Sequence, residues 1–259
     1  MKIDFTAHNI RLDNGKLTNP PKPFDANTMD TDPLFLSSNR LLNLVYPGDK
    51  SHLRLADLGC LEGGYSVEFA RMGFSVLGVE VRESNIACCR YVKDNTNLPN
   101  LNFVKDDALN IANHGIFDVM FCSGLLYHLD RPNRFLETLS SITSKVLILN
   151  THFSTDNVSR QFNLSDLQEN EGIQGRWFSE FPNEKDFANR ESHKWSSWEN
   201  KSSFWIKREY LLQAIKDAGF NVVMEQFDNL SPTIVDSMTK ADGYYNKFDR
   251  STFVGIKSS

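Results

Sequence analysis

The stretch that decides the fold is residues 53–64, which read LRLADLGCLEGG. The first six are mostly apolar, as expected of a buried strand. Glycines then punctuate the chain at 59, 63 and 64, where they permit a tight turn. Residues 65–72 follow as a predicted helix that stops at Gly73. The stretch therefore predicts a strand, a glycine turn and a helix.

The same alternation continues along most of the chain and predicts a mostly parallel α/β sheet. Seven strands are predicted, at Leu53–Leu58, Ser75–Glu80, Leu101–Val104, Asp118–Cys122, Val146–Asn150, Phe220–Gln226 and Thr252–Ile256. Helices are predicted at Tyr65–Met72, Glu83–Lys93, Asn133–Thr143 and Arg208–Ala218. An earlier helix is expected to open at Asp32 and Pro33, an N-cap and first-turn pair, and to run through Val45.

Composition excludes several classes of protein. Hydrophobic residues make up 40% of the 259 and charged residues 24%, which is ordinary globular usage. No run approaches the roughly 20 apolar residues of a membrane span, and we expect no signal peptide and no membrane association. The four cysteines show no zinc or disulfide spacing, so we expect a cytoplasmic protein. We also expect a monomer or a homodimer. The formal charge of -5 argues against a phosphate-rich partner such as nucleic acid.

The glycine turn has the features of a nucleotide site. Glycines allow close approach of the backbone, and the following helix offers free N–H groups. Glu80, at the end of the second predicted strand, is placed to accept hydrogen bonds from both ribose hydroxyls. An NAD-dependent oxidoreductase uses similar features, but its usual Gly-x-Gly-x-x-Gly pattern is broken here by Leu61.

Four segments in order resemble the class I S-adenosylmethionine (SAM)-dependent methyltransferases. They are DLGCLEG at 57–63, Glu80, VKDDA at 104–108 and FDVMFCSG at 117–124. The first looks like motif I of that family, with Leu61 where another glycine usually stands. The resemblance implies a Rossmann-like fold with a seven-stranded, mostly parallel sheet and an antiparallel last strand. It also implies SAM as cofactor, with S-adenosylhomocysteine (SAH) as product.

The resemblance assigns a set of cofactor-binding residues from these motifs. Asp107 maps to the acid that meets the adenine amino group, with Asp106 as the second candidate. The full predicted set is Asp57, Gly59, Cys60, Gly63, Glu80, Val81, Asp107, Ala108, Ser123 and Gly124.

One segment, residues 154–204, lies outside the alternation. It holds no clear strand and collects aromatic residues, so we interpret it as an inserted cap over the substrate. The predicted division is an N-terminal extension and helix at 1–52, a SAM-binding core at 53–153, the aromatic-rich cap at 154–204 and the rest of the core at 205–259.

The loop at 125–132, LLYHLDRP, follows the fourth strand at the carboxyl edge of the sheet, where open α/β folds place ligands. His128 is the predicted catalytic residue, since a histidine titrating near neutrality can take a proton from a hydroxyl or amine. The alternative is that Tyr127 and His128 only pack against the cofactor. His128 and Asp130 lack an evident third ligand, and we predict no metal.

Five residues are predicted to contact the substrate, although packing is an equal alternative for His152 and the cap aromatics. Arg176 is a candidate to bind a substrate phosphate or carboxylate, but neighbouring acids such as Glu180 make a solvated surface the default interpretation. The set is Tyr127, His152, Arg176, Trp177 and Trp205.

Three functions follow from these residues. The first is methyl transfer to a small polar acceptor, with O-methylation of a sugar or other metabolite as the narrower prediction. Residues 8–18, HNIRLDNGKLT, and the loop at 124–128 also resemble the branch that modifies the wobble uridine of tRNA, so a tRNA substrate is the second. The third is a SAM-binding regulatory protein without turnover.

Overall fold

The computed structural model describes residues 3–19, 27–157, 161–230 and 233–258. The chain forms two compact units, Met1–Phe121 and Cys122–Ser259. This division differs from the predicted one, whose boundaries fall at 52, 153 and 204. Within the described ranges, every helix is too short or too polar to cross a membrane.

Seven strands form one sheet: β1 (Arg54–Leu58), β2 (Ser75–Glu80), β3 (Leu101–Lys105), β4 (Phe117–Ser123), β5 (Thr143–His152), β9 (Val222–Gln226) and β10 (Arg250–Ile256). Their order in the sheet is β3-β2-β1-β4-β5-β10-β9. β1 and β3 pair parallel with β2, whereas β10 runs antiparallel to both β5 and β9. The predicted Rossmann-like class and the antiparallel last strand are confirmed.

In the first unit, helices α1 to α3 follow the predicted positions closely. They span Pro33–Val45, Gly64–Arg71 and Glu83–Asp94. Asp32 caps α1 by accepting a hydrogen bond from Phe35 N at 3.0 Å, as the sequence predicts. Phe69 of α2 packs edge-on against Phe121 of β4 with ring centroids 4.9 Å apart, which fixes the helix on the sheet.

In the second unit, the predicted cap contains a sheet that the sequence analysis missed. β6 (Gln168–Asn170), β7 (Ile173–Ser179) and β8 (Ser202–Ile206) form a three-stranded antiparallel sheet. The prediction of no strand was wrong because β6 is entirely polar. Its hairpin turns at Glu171 and Gly172, both at positive φ, rather than at a recognisable Asn-Gly pair. The predicted boundary at 204 also falls inside β8.

The second unit has two longer helices and three short ones among its described residues. They are α4 (Pro132–Ile142), α5 (Glu184–Ala188), α6 (Arg208–Asp217), α7 (Ile234–Thr239) and α8 (Tyr244–Phe248). The two long ones, α4 and α6, bury the apolar faces that the sequence predicts, including Leu139 and Ile215. The short helix α8 precedes β10 and brings residue 248 to the end of β5.

Candidate active site

The turn between β1 and α2 is held in a left-handed backbone conformation at three positions. Gly59, Leu61 and Gly63 have φ values of 65°, 53° and 84°. Leucine in this region costs about 1–2 kcal/mol, because its Cβ approaches the backbone. The position where related motifs carry glycine thus keeps a glycine-like conformation here. At Gly63 a Cβ would lie 2.7 Å from the Phe103 ring, so the close packing of the turn requires glycine.

Glu80, at the end of β2, supports this turn directly. Its carboxylate accepts hydrogen bonds from Leu61 N at 3.0 Å and from Arg82 N at 2.8 Å. The side chain is buried, and burial raises the pKa of Glu80. Each carboxylate oxygen still has a second lone pair, as recognition of two ribose hydroxyls requires. The residue fits its predicted role and also holds the loop.

Asp57 in β1 is buried and accepts a hydrogen bond from Ser66 Oγ at 2.6 Å. Burial raises the pKa of Asp57 to about 7, although the Ser66 hydroxyl opposes the shift. This hydrogen bond between Asp57 and Ser66 links β1 to α2. Its contact with the cofactor stays a prediction.

The two acids after β3 have different hydrogen-bond partners. Asp107 Oδ1 accepts from Leu109 N at 2.9 Å and caps the short helix Ala108–His114. Asp106 is engaged at both oxygens, one with Asp107 N and the other with His114 Nε2, each at 2.8 Å. The adenine contact of Asp107 stays a prediction.

The other cofactor candidates lie at strand ends. Cys60 is buried with its Sγ 3.9 Å from that of Cys89, Val81 directly follows β2, and Ala108 follows the Asp107 cap. In the second unit, Ser123 ends β4 and Gly124 follows at φ 76°. Their contacts with SAM stay predictions.

An N-terminal segment that sequence reasoning did not place at the site packs on the same loop. The Glu62 carboxylate accepts hydrogen bonds from the backbone N–H groups of residues 6–8 and from the Thr6 hydroxyl, at 2.7–3.1 Å. Burial alone would raise the pKa of Glu62, but these donors hold it below its usual value. Gly64 N donates to His8 Nδ1 at 3.0 Å. His8, the first residue of the segment 8–18 that resembles the tRNA-modifying branch, therefore has a structural contact with the β1–α2 turn.

In the second unit, the predicted catalytic histidine is held by a carboxylate. His128 ends the short helix Leu126–His128, and its Nδ1 lies 2.9 and 3.0 Å from the two oxygens of Glu180. A carboxylate only accepts, so Nδ1 carries the proton and Nε2 presents a lone pair. Among the described residues, Nε2 of His128 has no hydrogen-bond partner.

Glu180 itself is enclosed and fully engaged. Its side chain is 1% exposed, and it accepts hydrogen bonds from Ser197 N at 2.9 Å and Ser203 Oγ at 2.6 Å in addition to His128. Buried carboxylates are retained only where such donors compensate for lost hydration. The expectation that Glu180 belongs to a solvated acidic surface was wrong. The sequence held no signal for it, because its partners come from three separate segments.

The second histidine, His152, ends β5 and is also locked in one tautomer. Its Nδ1 lies 2.7 Å from the carbonyl oxygen of Phe248, which can only accept. Burial and then the positive charge of Arg250 lower the pKa of His152 to about 3. The ring is therefore neutral, with the proton on Nδ1 and a lone pair on Nε2. Within the described parts of the chain, this Nε2 has no hydrogen-bond partner either.

Aromatic rings bring the two histidines together. The ring centroid of Tyr127 lies 4.2 Å from that of His128 and 4.5 Å from that of His152. Trp205 stacks on His152 with centroids 4.8 Å apart and an interplanar angle of 18°. Its indole Nε1 is buried and has no partner among the described residues. Three of the predicted substrate residues thus form one cluster with His128.

The other two predicted substrate residues have structural contacts. Arg176 is buried and donates to the carbonyl oxygens of Thr155, Ser165 and Asp156 at 2.8–3.1 Å. These hydrogen bonds give Arg176 a structural role, and its contact with a substrate anion stays a prediction. Trp177 packs against Phe204, its partner in β8, with ring centroids 5.1 Å apart. Its contact with substrate stays a prediction.

The sheet order, the antiparallel β10, the glycine turn and the acid at the end of β2 define a class I methyltransferase fold. A family model described as a methyltransferase domain matches residues 49–205. The chain therefore belongs to this family, whose class I members are SAM-dependent methyltransferases.

Relatives and solved structures agree on the fold. The ubiquinone biosynthesis O-methyltransferase of Rickettsia canadensis (strain McKiel) is 26% identical over 92 residues, which cover 35% of this chain and 38% of that protein. The N-terminal domain of EvdMO1, solved in the presence of SAH and D-fucose, has a TM-score of 0.64 at 22% identity, covering 88% of this chain and 84% of that one. Magnesium protoporphyrin IX methyltransferase from Synechocystis PCC 6803 with bound SAH has a TM-score of 0.53 at 14% identity, covering 86% and 82%.

Glu80→Ala is expected to weaken SAM binding by about 1–3 kcal/mol, the range for losing hydrogen bonds to a charged acceptor. Titration calorimetry with SAM and SAH measures the change. Glu83→Ala is the matched control, since this nearby carboxylate is exposed and forms ion pairs with the side chains of Arg90 and Lys105. Unchanged SAM affinity in folded Glu80→Ala would contradict the assignment.

Proposed function

We propose that this chain transfers the methyl group of SAM to a hydroxyl oxygen of a small polar acceptor. Cofactor binding is assigned to the first unit, at the β1–α2 turn, Glu80 and Asp107. The positive-φ turn and the buried carboxylate with remaining lone pairs fit a nucleoside. When bound, SAM supplies a methyl group activated by its sulfonium.

The observation that carries this proposal is the pair formed by His128 and Glu180. Glu180 holds the proton on Nδ1, so Nε2 is free to accept the proton of an acceptor hydroxyl as its oxygen becomes nucleophilic. The imidazolium formed in this way is stabilised by the same carboxylate, as a buried acid does for histidine in other acid–base sites. A protein that only binds SAM has no need for this arrangement, which favours turnover over the regulatory alternative.

The acceptor class is supported by the nature of the cluster around His128. Aromatic rings with a few polar atoms are typical of sites for small ligands. The named relatives include an O-methyltransferase of ubiquinone biosynthesis and a domain solved with D-fucose. Both names point to acceptors that carry hydroxyl groups, and we propose the same class of acceptor for this chain.

Isotope transfer tests the proposal. The purified chain is incubated with methyl-labelled SAM and, separately, with a low-molecular-weight metabolite extract or with total tRNA. We expect label in an alkali-stable O-methyl ether from the extract, reduced in Glu80→Ala at subsaturating SAM and retained in Glu83→Ala. Label confined to nitrogen or to tRNA, or no transfer to any acceptor, would overturn the proposal.

A further inference from the structure

We infer that the acceptor is a vicinal diol, in which His152 and Trp205 recognise the hydroxyl next to the one that loses its proton to His128. This inference rests on the proposed function and specifies its substrate class. It makes His152 a specificity-determining residue rather than a second base.

The two histidines are alike in tautomer and differ in the group that holds Nδ1. Each donates through Nδ1, His128 to Glu180 and His152 to the Phe248 carbonyl, and each presents an Nε2 lone pair. A carboxylate behind His128 stabilises a positive ring. A neutral carbonyl behind His152, with Arg250 also nearby, does not. His152 can therefore accept a hydrogen bond but is unsuited to remove a proton.

Trp205 supplies the complementary donor. Its indole ring stacks on His152, and its Nε1–H is buried without a partner among the described residues. An unpaired buried donor is unfavourable, and a ligand oxygen that accepts from it removes that penalty. A stacked pair that offers one donor and one acceptor matches a hydroxyl, which does both. An ether or carbonyl oxygen only accepts, and an ammonium only donates.

Both recognition points lie beside the ring of Tyr127, which favours neighbouring hydroxyls on the acceptor. Both imidazoles contact the same Tyr127 ring, with centroids 4.2 and 4.5 Å away, so one small molecule can meet both. Hydroxyls on adjacent carbons of one ring, as in a catechol or a sugar, meet this requirement.

Two matched pairs of probes test the inference: catechol against phenol, and cis-cyclohexane-1,2-diol against cyclohexanol. Titrations are followed by NMR on ¹⁵N-labelled chain with SAH present, at the Trp205 indole N–H and the His152 ring nitrogens. We expect at least one diol to shift both signals and to bind about 10-fold or more tightly than its mono-ol, on the scale of about one hydrogen bond. The responding pair identifies the aromatic or saturated source.

Two variants keep an aromatic ring and remove its polar atoms: His152→Phe removes both imidazole nitrogens, and Trp205→Phe removes the indole Nε1. His152→Phe and Trp205→Phe should abolish the preference for the diol, whereas Trp195→Phe, at an exposed tryptophan of the same unit, should retain it. With an acceptor that is methylated, His152→Phe should raise KM with a smaller effect on kcat. Equal binding or equal methylation of diol and mono-ol, or no shift with either diol, overturns this inference. Methylation of mono-ols would leave the proposed function standing.

Discussion

His128→Ala is expected to lower turnover about 100-fold or more while leaving SAM affinity nearly unchanged, because general-base catalysis contributes about 10²–10⁴. The lone pair on Nε2 is the group that is lost. The cofactor candidates at the β1–α2 turn and Glu80 belong to another part of the chain, so calorimetry with SAM should show little change. Steady-state kinetics with the acceptor found by isotope transfer gives kcat and KM separately.

A packing histidine would behave differently. Its loss would lower thermal stability and cofactor affinity together, with turnover at saturation little altered. His128→Asn retains a polar side chain of smaller size and should be as inactive as the alanine variant. His52→Ala removes an exposed histidine and should be indistinguishable from the unmodified chain. Near-normal turnover in both His128 variants would exclude the base assignment.

Glu180→Gln is expected to reduce turnover by about 10²–10⁴. In other sites where a buried acid holds a histidine, replacing the acid by its amide favours the tautomer that cannot act as the base. The glutamine amide offers one oxygen to three donors, namely His128 Nδ1, Ser197 N and Ser203 Oγ. At least one donor is then left unpaired in a buried position, which should also lower the free energy of unfolding by about 1–3 kcal/mol.

The tautomer gives a readout that a stability loss alone would not change. In the unmodified chain, ¹⁵N NMR should show the His128 proton on Nδ1, and in Glu180→Gln a substantial fraction on Nε2. Glu184→Gln is the matched control, since this glutamate lies in the same segment but is exposed and bonded to Lys201. A folded Glu180→Gln protein with an unchanged tautomer and normal kcat would show that Glu180 does not position His128.

Most of the fold followed from the sequence because its signals are local. The apolar run before Gly59, the N-cap at Asp32 and the apolar stripe of α4 each depend on residues a few positions apart. Strand and helix boundaries moved by only a few residues. The three-stranded sheet was missed because the polar strand β6 forms by pairing with β7, and such pairing leaves no trace in the periodicity of β6 alone.

The candidate site divides in the same way between sequence and tertiary structure. The sequence by itself determined the glycine turn, the acid at the end of β2 and the identity of His128 as a candidate, since each lies at or shortly after the carboxyl end of a strand. Only the tertiary structure decided that Glu62 binds residues 6–8 and that Glu180, 52 positions away, holds His128. Hydrogen bonds between distant segments depend on how the elements pack, and burial then decides which acids remain solvated and which become partners of a histidine.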